Sequence, residues 1–274
     1  MPEGPEIRIA ADRIATAIVG HTARRVWFAF DRLKPWEAKL SGRAVEAVEP
    51  RGKALLIRFR GGLVIYSHNQ LYGRWYIRPA GELPRTGRSL RLAIDNEIHS
   101  ALLYSASEID VLGEDELETH PFLARIGPDV LDAKLRPATI ARRLDAKAFR
   151  GRQLGALLLD QGFLAGIGNY LRSEMLWVAR LDPLRRARDL STEDRRRLAR
   201  AIRVVARRAY RKRGITVDAR MVGSRRRKGM RRRDLRHYVF ARAGQPCESC
   251  GASIERIDVG GRRCYVCPHC QMCE

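Results

Sequence analysis

The stretch from Leu157 to Glu174 reads Leu-Leu-Leu-Asp-Gln-Gly-Phe-Leu-Ala-Gly-Ile-Gly-Asn-Tyr-Leu-Arg-Ser-Glu. An apolar run, a glycine-rich segment and a second helix-forming run predict two helices joined by a double turn. Gly166 and Gly168 allow the backbone to approach a ligand closely, and Asn169 stands at the start of the second helix. Its side-chain amide and the N–H groups of that helix end can hold a phosphate. The alternative is that Asn169 serves only as a helix cap.

The chain ahead of this stretch consists mainly of short β-type runs. They are Val26–Phe30, Ala44–Val48, Ala54–Phe59, Leu63–Ser67, Trp75–Arg78, Leu90–Ile94 and Ile98–Tyr104. Gly61-Gly62 and Asn96-Glu97 are turn signals that join neighbouring runs as hairpins. An amphipathic helix from Ile7 to Ile18 precedes them. Many short strands with tight turns predict an antiparallel β-sandwich, so we expect an N-terminal domain over residues 1–125 that begins with a helix.

After Gly127-Pro128 the composition shifts to helix formers. The predicted helices are Pro137–Leu144, Gln153–Asp160, Asn169–Arg180 and Thr192–Arg211. We assign residues 126–219 to a helical domain, which makes the predicted class α+β with two domains. Residues 220–237 are rich in arginine and have almost no apolar periodicity, which predicts a mobile basic loop. Residues 238–274 form a cysteine module.

The charge of the chain indicates a polyanionic partner. The net charge is +22, and the pI is about 10.7. Nucleic acid is the simplest such partner, and an anionic membrane surface comes second because no basic amphipathic helix with an aromatic face stands out. No apolar run is long enough to span a membrane, and no signal segment is present. We therefore expect a cytoplasmic protein, associated with the bacterial nucleoid when it binds DNA.

The cysteines predict one structural zinc ion. All 6 cysteines lie near the C-terminus, and in a cytoplasmic protein such clustering indicates a metal. Cys247-x-x-Cys250 followed by Cys267-x-x-Cys270 has the spacing of a four-thiolate zinc site. Because Cys264 and Cys273 continue the same three-residue spacing and His269 lies within the second pair, these three residues are competing ligands. We choose the four because Pro268 lies inside the second pair.

A hairpin is predicted between the two cysteine pairs. The runs Ile254–Ile257 and Cys264–Val266 suit two strands, with Gly260-Gly261-Arg262-Arg263 at the tip. Arginines at the tip of a rigid hairpin are suited to contact phosphate. The alternative is an ordinary solvated turn.

The first residues, Met1-Pro2-Glu3-Gly4-Pro5-Glu6, carry a possible nucleophile. If Met1 is removed, Pro2 provides a terminal secondary amine, whose pKa lies well below that of lysine. An amine nucleophile beside the carboxyl groups of Glu3 and Glu6 is suited to covalent attack at an acetal-like carbon. The alternative is that Pro5 opens a helix and that the two carboxylates favour its positive end.

Four separated signatures together resemble one family. They are the Pro2–Glu6 start, Arg51-Gly52-Lys53, the stretch quoted first and the four-cysteine module. The chain resembles the family of formamidopyrimidine-DNA glycosylase and endonuclease VIII, and is more similar to the endonuclease VIII branch. The segments Ser67–Gly73 and Thr119–Arg125 match as well, so the resemblance covers nearly the whole chain. It implies a helix-two-turn-helix in the second domain and a bifunctional DNA glycosylase and lyase of base excision repair.

The resemblance also implies catalytic roles. Pro2 would attack C1′ of a damaged nucleoside and displace the base, with Glu3 as the acid/base group beside it. Lys53 would contact phosphate and assist proton transfer; by itself it could equally be an exposed turn lysine. Arg262 would grip the phosphate at the lesion and take part in the second elimination, and Arg263 is the alternative residue for this role.

Further residues match DNA-binding positions of the family. They are Gln70, Arg125 and Asn169. Because the target base must leave the stack, the loop Gln70-Leu71-Tyr72 is suited to fill the gap as a wedge. The alternative is that Leu71 and Tyr72 are core residues at a strand boundary.

The resemblance implies duplex DNA as the partner and oxidised pyrimidines as the preferred lesions. A monomer suits an enzyme that holds DNA between two domains. Two alternatives remain: the same chemistry with a preference for oxidised purines, and a catalytically silent DNA-binding relative. The arginine-rich stretch near residues 220–236 is longer and more basic than the corresponding loop of relatives, where this region lies close to the flipped base. We expect it to add phosphate contacts and to steepen the dependence of binding on salt.

Overall fold

Short runs of β-branched and aromatic residues form strands in the first half of the chain, and helix formers dominate the second half. The structure is a computed structural model that describes residues 2–271. The chain falls into two units. The first holds Pro2 and Glu6–Arg125, and the second holds Glu3–Pro5 together with the chain from Ile126 onward. The predicted α+β class is confirmed.

The first unit is a sandwich of two antiparallel four-stranded sheets. Its elements are α1 (Gly4–Ile18, which begins in the second unit), β1 (Arg25–Phe28), α2 (Lys34–Leu40), β2 (Val45–Arg51), β3 (Ala54–Phe59), β4 (Leu63–His68), β5 (Arg74–Pro79), β6 (Leu90–Asp95), β7 (His99–Tyr104) and β8 (Glu108–Gly113). The strand orders are β1-β6-β7-β5 and β2-β3-β4-β8. Both sheets and α1 contribute to one apolar core, for example through Ile14, Phe28 and Ile57. The two predicted hairpins join β3 to β4 and β6 to β7.

The strand β8 and the helix α2 were not predicted. In β8 the buried Ile109 and Val111 alternate with Glu108 and Asp110, which is the pattern of a half-buried strand. The strand was not predicted because it is short and its acidic residues are more typical of a loop. It pairs with β4, so that Glu108 lies opposite His68.

The second unit is helical and ends in a small hairpin. Its elements are α3 (Pro137–Asp145), α4 (Leu154–Leu157), α5 (Asn169–Ala179), α6 (Thr192–Arg211), α7 (Ala219–Arg227), β9 (Glu255–Val259), β10 (Arg262–Val266) and α8 (Pro268–Gln271). The bounds of α6 agree with the prediction, because Ser191 and Asp194 form a reciprocal capping box that fixes its start. The helix α4 is shorter than predicted, since the chain turns at Leu158–Asp160.

The prediction of a mobile loop over residues 220–237 was wrong. This segment contains the helix α7 and a 3-10 turn at Arg232–Leu235. Asp218 caps α7 by accepting a hydrogen bond from the backbone N–H of Met221 at 2.8 Å. Met221 and Val222 pack on an apolar cluster that includes Trp177 of α5 and Cys247 of the cysteine module. The helical part, the basic segment and the cysteine module therefore share one cluster.

The predicted hairpin forms with longer strands than expected. The register pairs Arg262 with Val259 and Arg263 with Asp258. Both arginines therefore lie in β10, and the turn consists of Gly260 and Gly261, whose φ angles are 62° and 70°. In the described residues, no helix is long and apolar enough to cross a membrane.

Candidate active site

Pro2 lines a groove of the first unit. The groove has a volume of about 680 Å³ and is lined by Pro2, Glu6 and Asn69 together with residues of α1 and β5. A concave site of this size is where a substrate group is expected to bind. Met1 lies outside the described residues, so its removal stays a prediction.

Lys53 occupies the tight turn between β2 and β3. Gly52 has a φ angle of 63°, which permits this turn, and Lys53 is only 7% exposed. Its burial excludes the alternative of an exposed turn lysine. Burial lowers the pKa of His68; the Glu108 carboxylate opposes this shift, and the Lys53 charge adds to it. Lys53 directly precedes Ala54, which pairs with His68 in the register of β3 and β4, so Lys53 and His68 lie close enough to interact.

The wedge loop joins β4 to β5 and presents two large side chains to solvent. Leu71 is 61% exposed and Tyr72 is 68% exposed, which excludes the alternative that they are core residues. Gln70 has a φ angle of 48°, a left-handed conformation that is uncommon for residues other than glycine. Its side chain is held at both ends. Nε2 donates to Glu108 Oε2 at 3.2 Å, and Oε1 accepts from Ser107 Oγ at 2.7 Å.

Glu108 is a residue that sequence reasoning missed. Its other carboxylate oxygen accepts a hydrogen bond from Tyr66 Oη at 2.8 Å. Burial, followed by this hydrogen bond, raises the pKa of Tyr66 well above its usual range, so the phenol stays a donor. Glu108 thus links the buried Tyr66 to the wedge loop. The alternation of polar and apolar residues in β8 was the signal that could have placed it beside β4.

Glu3 is bound by the start of α5. It is 3% exposed. Its carboxylate accepts hydrogen bonds from the backbone N–H groups of Gly168 (2.8 Å), Tyr170 (2.9 Å) and Leu171 (3.2 Å). A carboxylate at a helix N-terminus is stabilised by the orphan donors and by the helix dipole. The expectation that these N–H groups hold a phosphate therefore needs correction, because they hold Glu3.

Because Gly168 has no side chain, there is room beside it for the carboxylate of Glu3. A Cβ at position 168 would lie 2.3 Å from Cδ of Glu3. Next to it, the backbone N–H of Gly4 donates to the carbonyl oxygen of Gly166 at 2.7 Å, and a Cβ at position 4 would lie 3.1 Å from Cα of Gly166. Gly166 and Gly168 therefore allow close packing of the Glu3–Gly4 segment rather than the approach of a ligand.

Arg172 organises the surroundings of Asn169, and sequence reasoning gave it no role. It is fully buried, and Nη2 donates to Oδ1 of Asn169 at 2.6 Å. The same nitrogen donates to the carbonyl oxygens of Arg262 (3.1 Å) and Arg263 (2.8 Å). Nη1 reaches the carbonyl oxygens of Gly155 (3.0 Å) and Val259 (3.1 Å). Arg172 therefore orients the Asn169 amide and fixes it relative to the hairpin that carries Arg262.

Glu174 is a second buried charge on α5. Its carboxylate accepts hydrogen bonds from Thr216 Oγ1 at 2.5 Å and from the backbone N–H groups of Tyr238, Val239 and Phe240 at 2.7–3.0 Å. It ties the segment after the basic region to α5. Since α5 is buried on nearly every side, a charged residue inside it must be paired, and this was the available signal for both Arg172 and Glu174.

The four cysteines chosen from the spacing lie together. The Sγ atoms of Cys247, Cys250, Cys267 and Cys270 are all within 4.8 Å of one another. Cys247 and Cys270 are 3.8 Å apart, and Cys250 and Cys267 are 3.4 Å apart. Tetrahedral zinc with Zn–S bonds of about 2.3 Å requires sulfurs about 3.8 Å apart, so the donor set fits zinc.

The competing ligands stand apart from this set. Cys264 Sγ lies 3.7 Å from Ser173 Oγ in the fully buried part of β10. Cys273 lies outside the described residues. His269 lies on α8 next to Cys270, but the group of possible ligands found within the described chain does not include it.

The structure distributes the candidate residues over the two units. The first unit carries Pro2, Lys53, Gln70, Leu71, Tyr72 and Arg125, and the second carries Glu3, Asn169, Arg262 and the four cysteines. Arg125 is exposed and ends a 3-10 turn at Leu123–Arg125. Within the second unit, Asn169 and Arg262 are joined through Arg172.

Comparison with known proteins identifies the family. Residues 1–105 match the N-terminal domain of formamidopyrimidine-DNA glycosylase, and residues 126–220 match its H2TH domain. The chain belongs to this family of DNA glycosylases. Among its relatives, endonuclease 8 of Pectobacterium atrosepticum is 49% identical over 99% of this chain and 100% of the relative. Endonuclease 8 of Salmonella arizonae is 48% identical over the same shares.

Solved structures show the same fold at lower identity. A complex of Lactococcus lactis Fpg (MutM) with DNA containing N7-benzyl-Fapy-dG superposes with a TM-score of 0.80 at 22% identity, covering 98% of this chain and 99% of the other. The same Lactococcus protein bound to DNA with an AP site gives a TM-score of 0.79 at 20% identity, with the same coverage.

Proposed function

We propose that the protein is a bifunctional DNA glycosylase and lyase of base excision repair that removes oxidised pyrimidines from duplex DNA. The observation that carries the proposal is the Glu3 carboxylate, held by three backbone N–H groups and adjacent in sequence to Pro2. An acid/base group held rigidly beside an amine nucleophile is what attack at a glycosidic carbon requires. Identity of 49% to an endonuclease 8 over nearly the whole chain supports the pyrimidine preference.

The proposed reaction begins at the nitrogen of Pro2. It attacks C1′ of the damaged nucleoside, the glycosidic bond breaks, and the base leaves with a proton that Glu3 helps to transfer. The Pro2 nitrogen then loses its proton, and the C1′–O4′ bond of the sugar opens as O4′ takes up a proton. This gives an iminium ion at C1′, which cannot lose a proton from nitrogen and withdraws electrons from C2′. Removal of a C2′ proton, assisted by Lys53, expels the 3′ phosphate. A second elimination, assisted by Arg262, expels the 5′ phosphate, and water releases the sugar fragment from Pro2.

The remaining candidate residues would bind DNA. Asn169, oriented by Arg172, and Arg125 would contact phosphates. Leu71 and Tyr72 would enter the duplex as the target base leaves it, and Gln70 would support or accompany them. The exposure of Leu71 and Tyr72 supports this role, because large apolar side chains in solvent indicate an interaction surface.

We assign one structural zinc ion to Cys247, Cys250, Cys267 and Cys270. Zinc at this position supplies folding energy to a module too small to fold on its own core. The module in turn holds the hairpin with Arg262. We further propose that the protein acts as a monomer in the cytoplasm, where it is associated with bacterial nucleoid DNA.

Borohydride trapping tests the nucleophile. We expect reduction to leave the protein covalently bound to a duplex that contains 5-hydroxyuracil, because the iminium ion becomes a stable amine. Pro2→Thr should abolish the adduct, since it removes the secondary amine. Pro35→Thr is the matched control, because Pro35 is exposed at the start of α2. An adduct of Pro2→Thr that peptide mapping places at a residue other than residue 2 would locate the nucleophile elsewhere, and no adduct with wild type would contradict the enzymatic proposal.

A lesion panel tests the substrate class. Single-turnover base release should be faster from duplexes with 5-hydroxyuracil or thymine glycol than from a duplex with 8-oxoguanine opposite cytosine. The reverse order would establish the purine-directed alternative. Binding without base release from any lesion would establish the silent relative.

A further inference from the structure

The segment from Ala219 to Arg236, here termed the basic arm, presents a dense positive surface. Its exposed cations are Arg220, Arg226, Arg227, Lys228, Arg231, Arg232 and Arg233. Asp234 is its single acidic residue, and it pairs with Arg233 at 3.4 Å. Among the described residues, no carboxylate forms an ion pair with Arg226, Arg227 or Lys228. The arm therefore carries an excess of charge that the protein itself does not neutralise.

The basic arm is held in place at three points. Asp218 caps α7 and also accepts a hydrogen bond from Tyr238 Oη at 2.7 Å. Met221 and Val222 pack against the apolar cluster shared with the cysteine module. The third point is Arg225, which is 1% exposed although its sequence neighbours on the C-terminal side are exposed. A segment fixed in this way offers its cations in a defined arrangement, which lowers the entropic cost of binding.

Arg225 connects the basic arm to the cysteine module. Its Nε and Nη2 donate to the two carboxylate oxygens of Glu248 at 2.8 and 2.7 Å, and Nη1 donates to the carbonyl oxygen of Asp234 at 2.8 Å. Glu248 follows Cys247 directly and lies between two candidate zinc ligands. In this bidentate pair the Arg225 side chain is buried, whereas the Glu248 side chain is 21% exposed. Its geometry is specific, and removing Glu248 leaves the buried charge of Arg225 without this partner.

We propose that the basic arm is a second phosphate-binding surface for duplex DNA, and that the Arg225–Glu248 pair places it relative to the cysteine module. This inference rests on the proposed function for its choice of DNA. The arm contains no Phe, Tyr or Trp, so it lacks the stacking side chains that single strands require. Its apolar residues Met221 and Val222 pack against the cluster, Leu235 is buried and Met230 is half-buried, so the arm lacks the exposed apolar face that a membrane-surface helix requires. Exposed cations without stacking or apolar side chains are suited to bind the phosphates of the duplex backbone.

Salt dependence of binding tests the surface. The zinc-loaded full-length protein is titrated with an undamaged duplex over a series of NaCl concentrations. In the variant Arg226→Gln/Arg227→Gln/Lys228→Gln, the slope of log Kobs against log salt should become shallower by about 0.9 for each phosphate that is no longer neutralised, and so by roughly 2 to 3. The control Arg196→Gln/Arg207→Gln/Arg211→Gln removes the same charge from the exposed face of α6 and should change the slope far less. Equal slopes for both variants would overturn the inference.

A second variant tests whether the Arg225–Glu248 pair positions the basic arm, and it does so without removing an exposed cation. Glu248→Ala should also make the slope shallower and should increase hydrogen exchange over residues 219–235, while zinc content stays at one ion per chain. The charge swap Arg225→Glu/Glu248→Arg should restore much of the slope. A wild-type slope in Glu248→Ala would show that the pair does not place the arm. Loss of zinc in that variant would show that Glu248 acts through the zinc site, and would overturn the proposal that the pair itself places the arm.

The choice of partner is tested in parallel. Vesicles of anionic phospholipid and a single-stranded oligonucleotide should both compete weakly against the duplex, and tight competition by either would overturn the assignment to duplex DNA. Because this binding involves undamaged DNA, it is separate from trapping at Pro2. If trapping fails but the salt slope still depends on the arm, only the proposed enzymatic activity is refuted. If trapping succeeds but the salt slope does not depend on the arm, only the proposal that the arm binds duplex DNA is refuted.

Discussion

Glu3 and Gly168 share one small volume although 165 positions separate them in the chain. The carboxylate lies where the side chain of residue 168 would be, and it is bound by the N–H groups that start α5. The start of α5 thus holds in place the Glu3 carboxylate, which we propose as the acid/base group. Sequence reasoning identified both residues but assigned the helix end to phosphate, because nothing local shows that an anion from the N-terminus already binds there.

Gly168→Ala should reduce base release. The new methyl group would lie 2.3 Å from Cδ of Glu3, so the carboxylate must leave its three donors. Since general acid–base catalysis contributes about 10²–10⁴-fold, we expect a loss in that range in single-turnover base release from a 5-hydroxyuracil duplex. Gly151→Ala is the control, because a Cβ there meets nothing within 4 Å. A near-normal rate in Gly168→Ala would show that Glu3 does not need this position.

At the scale of elements, β8 supports the wedge loop. Glu108 and Ser107 hold the two ends of the Gln70 amide, while Leu71 and Tyr72 project into solvent. On the proposed role, an anchored loop would lose less conformational freedom when it enters a duplex. If Leu71 and Tyr72 enter the duplex as proposed, the hydrogen bonds of Glu108 and Ser107 to Gln70 would assist them, although Glu108 itself lies outside the loop.

A double-mutant cycle measures this contribution. Glu108→Ala and Gln70→Ala should each slow base release from a duplex, and the double variant should be little worse than either single one, with a coupling of about 1 kcal/mol. Cleavage of an abasic site in single-stranded DNA should be unaffected, because no stack has to be filled. Glu118→Ala is the exposed control on the same unit. Additive losses would mean that Glu108 acts independently of Gln70.

Elements with a complete local signal were predictable, and those fixed by distant partners were not. The capping residues of α6 are all within a few positions of its start, and the cysteine spacing selects four sulfurs that lie together. The helix α7 was missed although Asp218 caps it locally, because its other contacts are distant in sequence; that of Arg225 with Glu248 spans 23 residues. Arg172 was missed for the same reason, since its partners on the hairpin lie about 90 residues away.

At the scale of the whole molecule, one buried histidine makes stability depend on pH. His237 is 8% exposed, and burial lowers its pKa to about 4. Glu174 opposes this shift, while Arg236 and Arg225 add to it. The unfolded chain, with an ordinary histidine pKa of about 6.5, binds the proton first as pH falls. The stabilising effect is therefore complete above pH 6.5 or so and is lost progressively towards pH 4.

Urea unfolding checks this linkage. Between pH 7.5 and 5.5 the wild type should lose roughly 1.4 kcal/mol of unfolding free energy through His237. His237→Asn keeps a polar atom near Thr216, which lies 3.3 Å from Nδ1, but does not titrate, so its loss over the same range should be smaller by that amount. Parallel curves for the two proteins would contradict the assignment. The range stops at pH 5.5 to limit carboxylate titration.

The position of Pro2 in its groove has a practical consequence for work with the purified protein. Pro2 lines the cavity of about 680 Å³ that also contains Glu6 and Asn69. On the proposed mechanism, any residue placed ahead of Pro2 removes the free amine and occupies space next to the substrate. An affinity tag at this end would give a folded, DNA-binding but inactive preparation. A tag is therefore suitable here only if a protease removes it and leaves Pro2 as the first residue.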